Sequence, residues 1–419
     1  MTVNIKDFGA IGDGKTLNTK AIQSAIDFAG KTGGRVLIED GIYMTGTILY
    51  KSNVELHIAS DAVLLGSPDC DDYPEAETVH VNSSLLPRWR NACLIFAEEC
   101  ENIALTGMGT IDCNGKTFVI HSQAAGTGWK YHRDHTHPTP PRAVFFTGCK
   151  NVKVEDITMI NQPAGWSYWI HDCDYVAFDR VKIDAEVEYP NNDGIHVNSS
   201  RNVTISNCSI TCGDDCIIVR ANNVSLKENK VCERVVVTNC NLTSYSAGIR
   251  IGWINDGTIR NCAFSNLVMT DCSCGIDFKF PYVKHDPNIP STSDIGREAT
   301  RIENLTFDNI IMDKTYTAPV NFEIDPHEDV MVDAVGNIYF SNMRVRGPQF
   351  IWIQGREQNH IQNVEFNNCS FTLTDGSEFP DKNNHGASRH FKDVDYHPLN
   401  ISFADNIRFN NTSFTVDKG

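Results

Sequence analysis

The chain has 419 residues with 41 % hydrophobic and 21 % charged content, an ordinary soluble profile with enough apolar side chains for a large core. Its formal charge of −17 argues against nucleic acid or an anionic membrane as partner, and any acidic polymer it binds would need local cations. No apolar run approaches a membrane span and the first residues hold no signal-peptide core, so the sequence as given reads as cytoplasmic, or as secreted if a leader preceded it.

Residues 5–16 are rich in Gly and Asp and lead into a segment from Asn18 to Gly30. There Ala21, Ile22, Ala25, Ile26 and Ala29 fall at helical spacing, which predicts a short amphipathic helix. The Gly spacing fits no dinucleotide fingerprint, and a capping helix is expected rather than a phosphate cradle.

Beyond this point the chain repeats. Asn or an equivalent is followed by apolar residues at alternate positions, then by a second Asn or Asp. The pattern starts at Asn151, Tyr175, Asn202, Arg234, Asn261, Asn304, Asn337, Asn363 and Asn406, with less regular copies at Asn53 and Asn102. Between residues 151 and 261 successive starts are 24, 27, 32 and 27 residues apart. Period-two alternation in units of twenty-odd residues predicts a solenoid of β-strands. A leucine-rich repeat would need a recurring Leu-x-x-Leu-x-Leu, and a propeller a period above about 40. The remaining architecture is an all-β, right-handed parallel β-helix, with about ten coils stacked at roughly 4.8 Å. No linker-like composition interrupts it, so one domain over 1–419 is expected, with 1–50 as cap and first coil and 51–419 as the remaining coils.

The fifteen cysteines are odd in number, and several recur in one context: Asn207-Cys208, Asn239-Cys240, Asn261-Cys262 and Asn368-Cys369. This reads as small buried hydrophobes stacked inside a core, not as disulfides or a zinc site. Where spacing greatly exceeds the basic period, loops are inserted. Residues 121–142 carry Trp129, Tyr131, His132, Arg133, His135 and His137; residues 281–299 carry Tyr282, Lys284 and His285; residues 372–400 carry His385, His390 and His397. These loops are expected to wall a groove. The histidines of the first lack a carboxylate partner pattern for a metal, and neither metal nor cofactor is expected.

The chemistry concentrates between Asn191 and Cys216, where Asn-Asn-Asp-Gly-Ile-His-Val is followed by Gly-Asp-Asp-Cys. Asp193 and Asp214 are 21 residues apart, close to one coil, so stacking would bring Asp193, Asp214 and Asp215 together. Three carboxylates in one cluster cannot all ionise cheaply, and repulsion that raises one pKa places an acid beside a base, the arrangement glycoside hydrolysis uses. Adjacent strand residues face opposite sides, so Asp214 and Asp215 share a cleft only if the backbone bends there, for which Gly213 is the expected source.

The opening Asp7-to-Asp27 stretch resembles the N-terminal cap of pectin-active β-helix proteins. Residues 161–171 (Asn-Gln-Pro-Ala-Gly-Trp-Ser-Tyr-Trp-Ile-His), 191–197 and 213–216 resemble successive motifs of glycoside hydrolase family 28, the polygalacturonases and rhamnogalacturonan hydrolases. The resemblance implies an inverting hydrolase of pectic oligosaccharide or polysaccharide, with Asp214 as general acid and Asp193 and Asp215 holding the attacking water. Two positions depart from the polygalacturonase pattern. Ala247 stands where that pattern has His, and Asp277 replaces the Arg of an Arg-Ile-Lys motif whose Lys is retained as Lys279. Those cations grip a galacturonate carboxylate, so Arg250 becomes a candidate substitute, apt for bidentate carboxylate binding. His171, His196, Trp253, Trp166 and Trp169 are further candidates for substrate contact. The leading expectation is an exo-polygalacturonase-like enzyme. Rhamnogalacturonan or pectic side-chain hydrolysis stands beside it; a calcium-dependent lyase with Arg220 or Lys279 as base, or a non-catalytic glycan-binding β-helix, stands behind.

Overall fold

The computed structural model describes residues 1–75, 77–81, 92–121, 131–133, 140, 142–282, 298–375 and 399–417. Within them the chain winds into a parallel β-helix. One sheet of 23 strands and another of 11 strands run its length, and every inter-strand pairing within both is parallel. A two-stranded antiparallel ribbon, Val119–His121 with Tyr131–Arg133, is appended.

The repeat is legible in the backbone. Each of its starting residues, from Asn53 and Asn102 through Tyr175 and Arg234 to Asn406, has a left-handed φ between 54° and 64°. The second Asn or Asp of the unit, as at Asp156, Asn207, Asn266 and Asn368, is left-handed too. Asn tolerates this region because its short side chain bonds locally. Here the amides also bond from coil to coil: Asn102 Nδ2 donates to Asn53 Oδ1 (2.9 Å), Asn151 to Asn102 (3.0 Å), Asn304 to Asn261 (2.6 Å) and Asn406 to Asn363 (2.6 Å). The bends are therefore stacked, and inward side chains stack with them. Phe264, Phe307, Phe340, Phe366 and Phe409 form one column with successive ring centroids 4.6, 4.9, 4.7 and 5.1 Å apart. None of the fifteen cysteines forms a disulfide and all but Cys70 are buried, which is the packing role the sequence suggests.

The helix α1 spans Thr19–Ala29 and buries Ile22, Ala25, Ile26 and Ala29. Asn18 precedes it, but its side chain bonds Ile11 and Thr16 instead of capping the helix, pinning the Gly-rich stretch.

Seven strands of the 11-stranded sheet carry the residues that matter below: β1 (Arg142–Thr147), β2 (Trp166–His171), β3 (Ile195–Asn198), β4 (Ile217–Arg220), β5 (Ala247–Ile251), β6 (Cys274–Phe280) and β7 (Val320–Ile324). Their register places one column of partners across the sheet: Phe145, Trp169, His196, Ile218, Arg250, Asp277 and Asn321. A second column, two residues further along each strand, holds Thr147, His171, Asn198 and Arg220.

Candidate active site

The three aspartates meet at the N-terminal ends of β3 and β4. Backbone bonds lace the two turns together: the carbonyl of Asn192 accepts from the amides of Gly213 (3.1 Å) and Asp214 (3.2 Å), and the amide of Gly194 donates to the carbonyl of Asp215 (2.9 Å). One carboxylate oxygen from each of Asp193, Asp214 and Asp215 lies within 4.8 Å of the others. Asp193 and Asp215 are buried, whereas Asp214 is partly exposed and accepts from Asn191 Nδ2 at 3.3 Å. The convergence expected from coil stacking is thus present.

Gly213 is needed for a different reason from the bend expected of it. A Cβ there would lie 3.0 Å or less from the carbonyl oxygens of Glu186, Val187 and Tyr189, so the turn closes against backbone that leaves no room for a side chain. Gly213→Ala is expected to push the Asp214–Asp215 turn outward. Hydrolytic rate should fall by about 10²-fold, the cost of roughly an ångström of misplacement, with α1 and the distant coils unaffected. Kinetics paired with hydrogen exchange check this, and a wild-type rate in the Ala variant would contradict it.

Asp215 is held from the next coil. Its Oδ1 accepts from the amide of Ala247 (3.0 Å) and from Arg250 Nη2 (3.2 Å). Arg250 reaches Asp277 Oδ2 with its other terminal nitrogen (3.0 Å), and the Trp253 ring lies 4.8 Å from its guanidinium carbon. Burial by itself would lower the Arg250 pKa, but the charges of Asp215 and Asp277 hold it above the ordinary value. Asp277 Oδ1 accepts from Asn321 Nδ2 at 2.7 Å, so the column Arg250–Asp277–Asn321 is one polar chain across three strands. Asp277 is therefore the partner of Arg250, a role its replacement of a family Arg did not suggest.

Asp193 is held from its own coil. His196 Nε2 lies 3.0 Å from Asp193 Oδ2. The His196 ring stacks on Trp169 (centroids 5.0 Å, 29°) and tilts against Trp166 (4.9 Å). Below them Arg142, with no exposed surface, places its guanidinium carbon 4.8 Å from both indoles and 5.2 Å from Phe145. Burial, and then the charge of Arg220, drive the His196 pKa well below the imidazole norm.

The other expected contacts are distributed unevenly. His171 is fully buried in the second column, beside Asn198, and burial lowers its pKa to about 3. Lys279 is partly exposed and pairs with Glu323 at 3.0 Å. Arg220 is bound through two nitrogens by the fully buried Asp256 (3.0 and 2.7 Å). Trp169 is buried and Trp166 and Trp253 partly so. Arg142, Asn191, Asn321 and Glu323 were not anticipated; the first three follow from asking what faces Trp166, Asp214 and Asp277 on the adjacent coil. Of the loop residues, Tyr131 packs edge-on against Tyr189 (5.1 Å) and Tyr282 stacks on His327 (3.6 Å). Trp129, His135, His137, Lys284, His285, His385, His390 and His397 lie outside the described residues.

The chain is similar to known proteins. Residues 2–89 match the family described as rhamnogalacturonase A/epimerase, pectate lyase-like, and residues 88–233 match glycosyl hydrolases family 28. A probable polygalacturonase of Vitis vinifera is 27 % identical over 66 % of this chain and 57 % of its own length. The exo-poly-alpha-D-galacturonosidase of Dickeya chrysanthemi is 29 % identical over 51 % of this chain and 41 % of its own. This chain thus spans about half the length of those two curated relatives. Among solved structures, the family 28 exopolygalacturonase of Yersinia enterocolitica superposes with a TM-score of 0.71 at 23 % identity, covering 100 % of this chain and 76 % of that one, which establishes the fold. The match to glycosyl hydrolases family 28, over residues 88–233, includes all three aspartates.

Proposed function

We propose that the protein is an inverting glycoside hydrolase of pectic chains, exo-polygalacturonase-like. The observation that carries the reading is the meeting of three carboxylates from consecutive coils, each in a different environment. Asp214, the most exposed of the three, is the general acid that protonates the leaving oxygen. Asp215, whose Oδ1 already accepts from Arg250 and the Ala247 amide, and Asp193, held by His196, position and deprotonate a water on the opposite face of the sugar. The family and the exo-acting relatives support hydrolysis of this class.

A specific observation favours a second reading, cleavage of rhamnogalacturonan or a pectic side chain. Arg250, Lys279 and Arg220 each already carry a carboxylate, so a uronate at this floor would have to displace Asp277 or Glu323 to obtain a cation. A neutral sugar there has no such cost.

Incubation with oligogalacturonate and with rhamnogalacturonan oligosaccharides, with and without chelator, separates the readings. Saturated, chelator-insensitive products are expected, and the fragment consumed chooses between the two substrates. Unsaturated products lost on chelation would instead mean a lyase. Proton NMR of the first product tests the stereochemistry. The nearest carboxylate oxygens lie within 4.8 Å, tighter than the ~6.5–9.5 Å usual between the carboxyls of an inverting pair, so an initial product of retained configuration would overturn inversion.

A further inference from the structure

We propose that His196 is a positioning residue for Asp193: a neutral imidazole that holds the carboxylate in the rotamer facing Asp214 and Asp215 without neutralising its charge. The proposal rests on the hydrolytic reading above and adds a residue that reading does not require.

Four observations carry it. First, His196 Nε2 and Asp193 Oδ2 are 3.0 Å apart, and both side chains are nearly solvent-free, at 4 % and 6 % exposure. A hydrogen bond made there is not diluted by competing water. Second, the ring has little freedom. It belongs to the outward column of β3, is stacked on Trp169 and is closed off by Trp166, and these two indoles stack on each other with centroids 4.5 Å apart. Third, the other ring nitrogen, Nδ1, is buried and without a hydrogen-bond partner among the described residues, so the strongest polar interaction the ring has runs to Asp193. Fourth, the surroundings disfavour a charged ring: it is buried with two indoles against it, and Arg142 and Arg220 supply positive charge nearby, which together outweigh the opposing carboxylates of Asp193 and Asp215.

A neutral imidazole facing a carboxylate must carry its proton on the facing nitrogen, here Nε2, and it then donates. The distinction matters for chemistry. An imidazolium would form an ion pair with Asp193 and reduce its capacity to draw a proton from water. A neutral donor fixes the rotamer and leaves the negative charge in place. The indole–guanidinium stack under the ring thereby acquires a purpose: it keeps the ring both oriented and uncharged.

The competing explanation is that His196 merely fills space between Trp169 and Asp193. His196→Phe keeps the ring and the stacking but cannot donate; His196→Gln places an amide N–H near the position of Nε2. With the full chain, and with whichever pectic oligosaccharide the wild type cleaves, the Phe variant is expected to lose about 10²-fold in kcat with KM within twofold, and the Gln variant to recover most of it. A Phe variant at the wild-type kcat overturns the proposal in favour of packing. A loss expressed mainly in KM, for Phe and Gln alike, overturns it in favour of direct substrate contact. Should the Phe variant fail to fold, Met and Gln, of similar volume and flexibility, give the same contrast. A crystal structure of the Phe or Met variant reads the outcome independently of any substrate. Asp193 in a changed rotamer supports the positioning role even if no pectic glycan proves to be cleaved, and Asp193 unmoved overturns it even if hydrolysis is confirmed.

Discussion

Replacing Asp214 with Asn is expected to reduce the hydrolytic rate by about 10³-fold, within the range a general acid contributes, while the fold survives intact. The amide side chain cannot supply a proton to the leaving oxygen. The backbone around it keeps its anchors, because the Asp214 amide donates to the Asn192 carbonyl and its own carbonyl accepts from the Ser244 hydroxyl. Removing one of three clustered negative charges relieves repulsion, so the thermal midpoint should hold or rise. Steady-state kinetics and a melting curve on the same preparation provide the check. A variant that hydrolyses at near the wild-type rate would remove Asp214 as the acid.

The second large effect concerns Arg250, where stability rather than chemistry leads. Its guanidinium is almost fully buried between Asp215 and Asp277. Arg250→Met leaves two carboxylates without their common cation, and breaking a buried pair from one side costs about 3–5 kcal/mol. Adding Asp277→Leu in the same chain should return part of that loss, since one of the stranded charges is then gone. The two changes are expected to be strongly non-additive in a double-mutant cycle read by urea unfolding. Additive losses would mean the ion pair is not the unit the structure presents. Activity should not return in the double variant, because Asp215 keeps the Ala247 amide but still lacks the Arg250 donor.

Much of this architecture is legible in the sequence. The residues that begin each repeat are the ones with left-handed backbone, Tyr175 and Arg234 included, and the aspartate motifs converge as coil stacking predicts. What the sequence does not yield is the identity of neighbours. Period-two alternation says which face a side chain takes, but contact between coils depends on how many residues separate them, and that number varies. Bonded asparagines are 49 residues apart at Asn102 and Asn53, 32 at Asn239 and Asn207, and 26 at Asn363 and Asn337. Hence Asp277 read as a lost grip on substrate when it is the counter-ion of Arg250. The contact of His196 with Asp193 is likewise not readable from the sequence. His171, expected beside the cleft, is fully buried, because desolvation of a ring at that position is invisible without the strands on either side.

The same unevenness has a consequence for how such a chain can change. Thr258–Cys272 and Thr300–Thr315 remain matched residue for residue from Arg260↔Glu303 to Cys272↔Thr315, although the strand Cys274–Phe280 and residues 281–299 are threaded between them. Each rung takes its alignment from the rungs it touches, not from the length of chain spent in getting there. An insertion is therefore quarantined at the point where it leaves the stack, and its error does not accumulate along the rod. Chain between rungs can be lengthened, shortened or exchanged while Asp193, Asp214 and Asp215 stay in alignment. In such a scaffold the stacked rungs and the chain between them are free to diverge at different speeds.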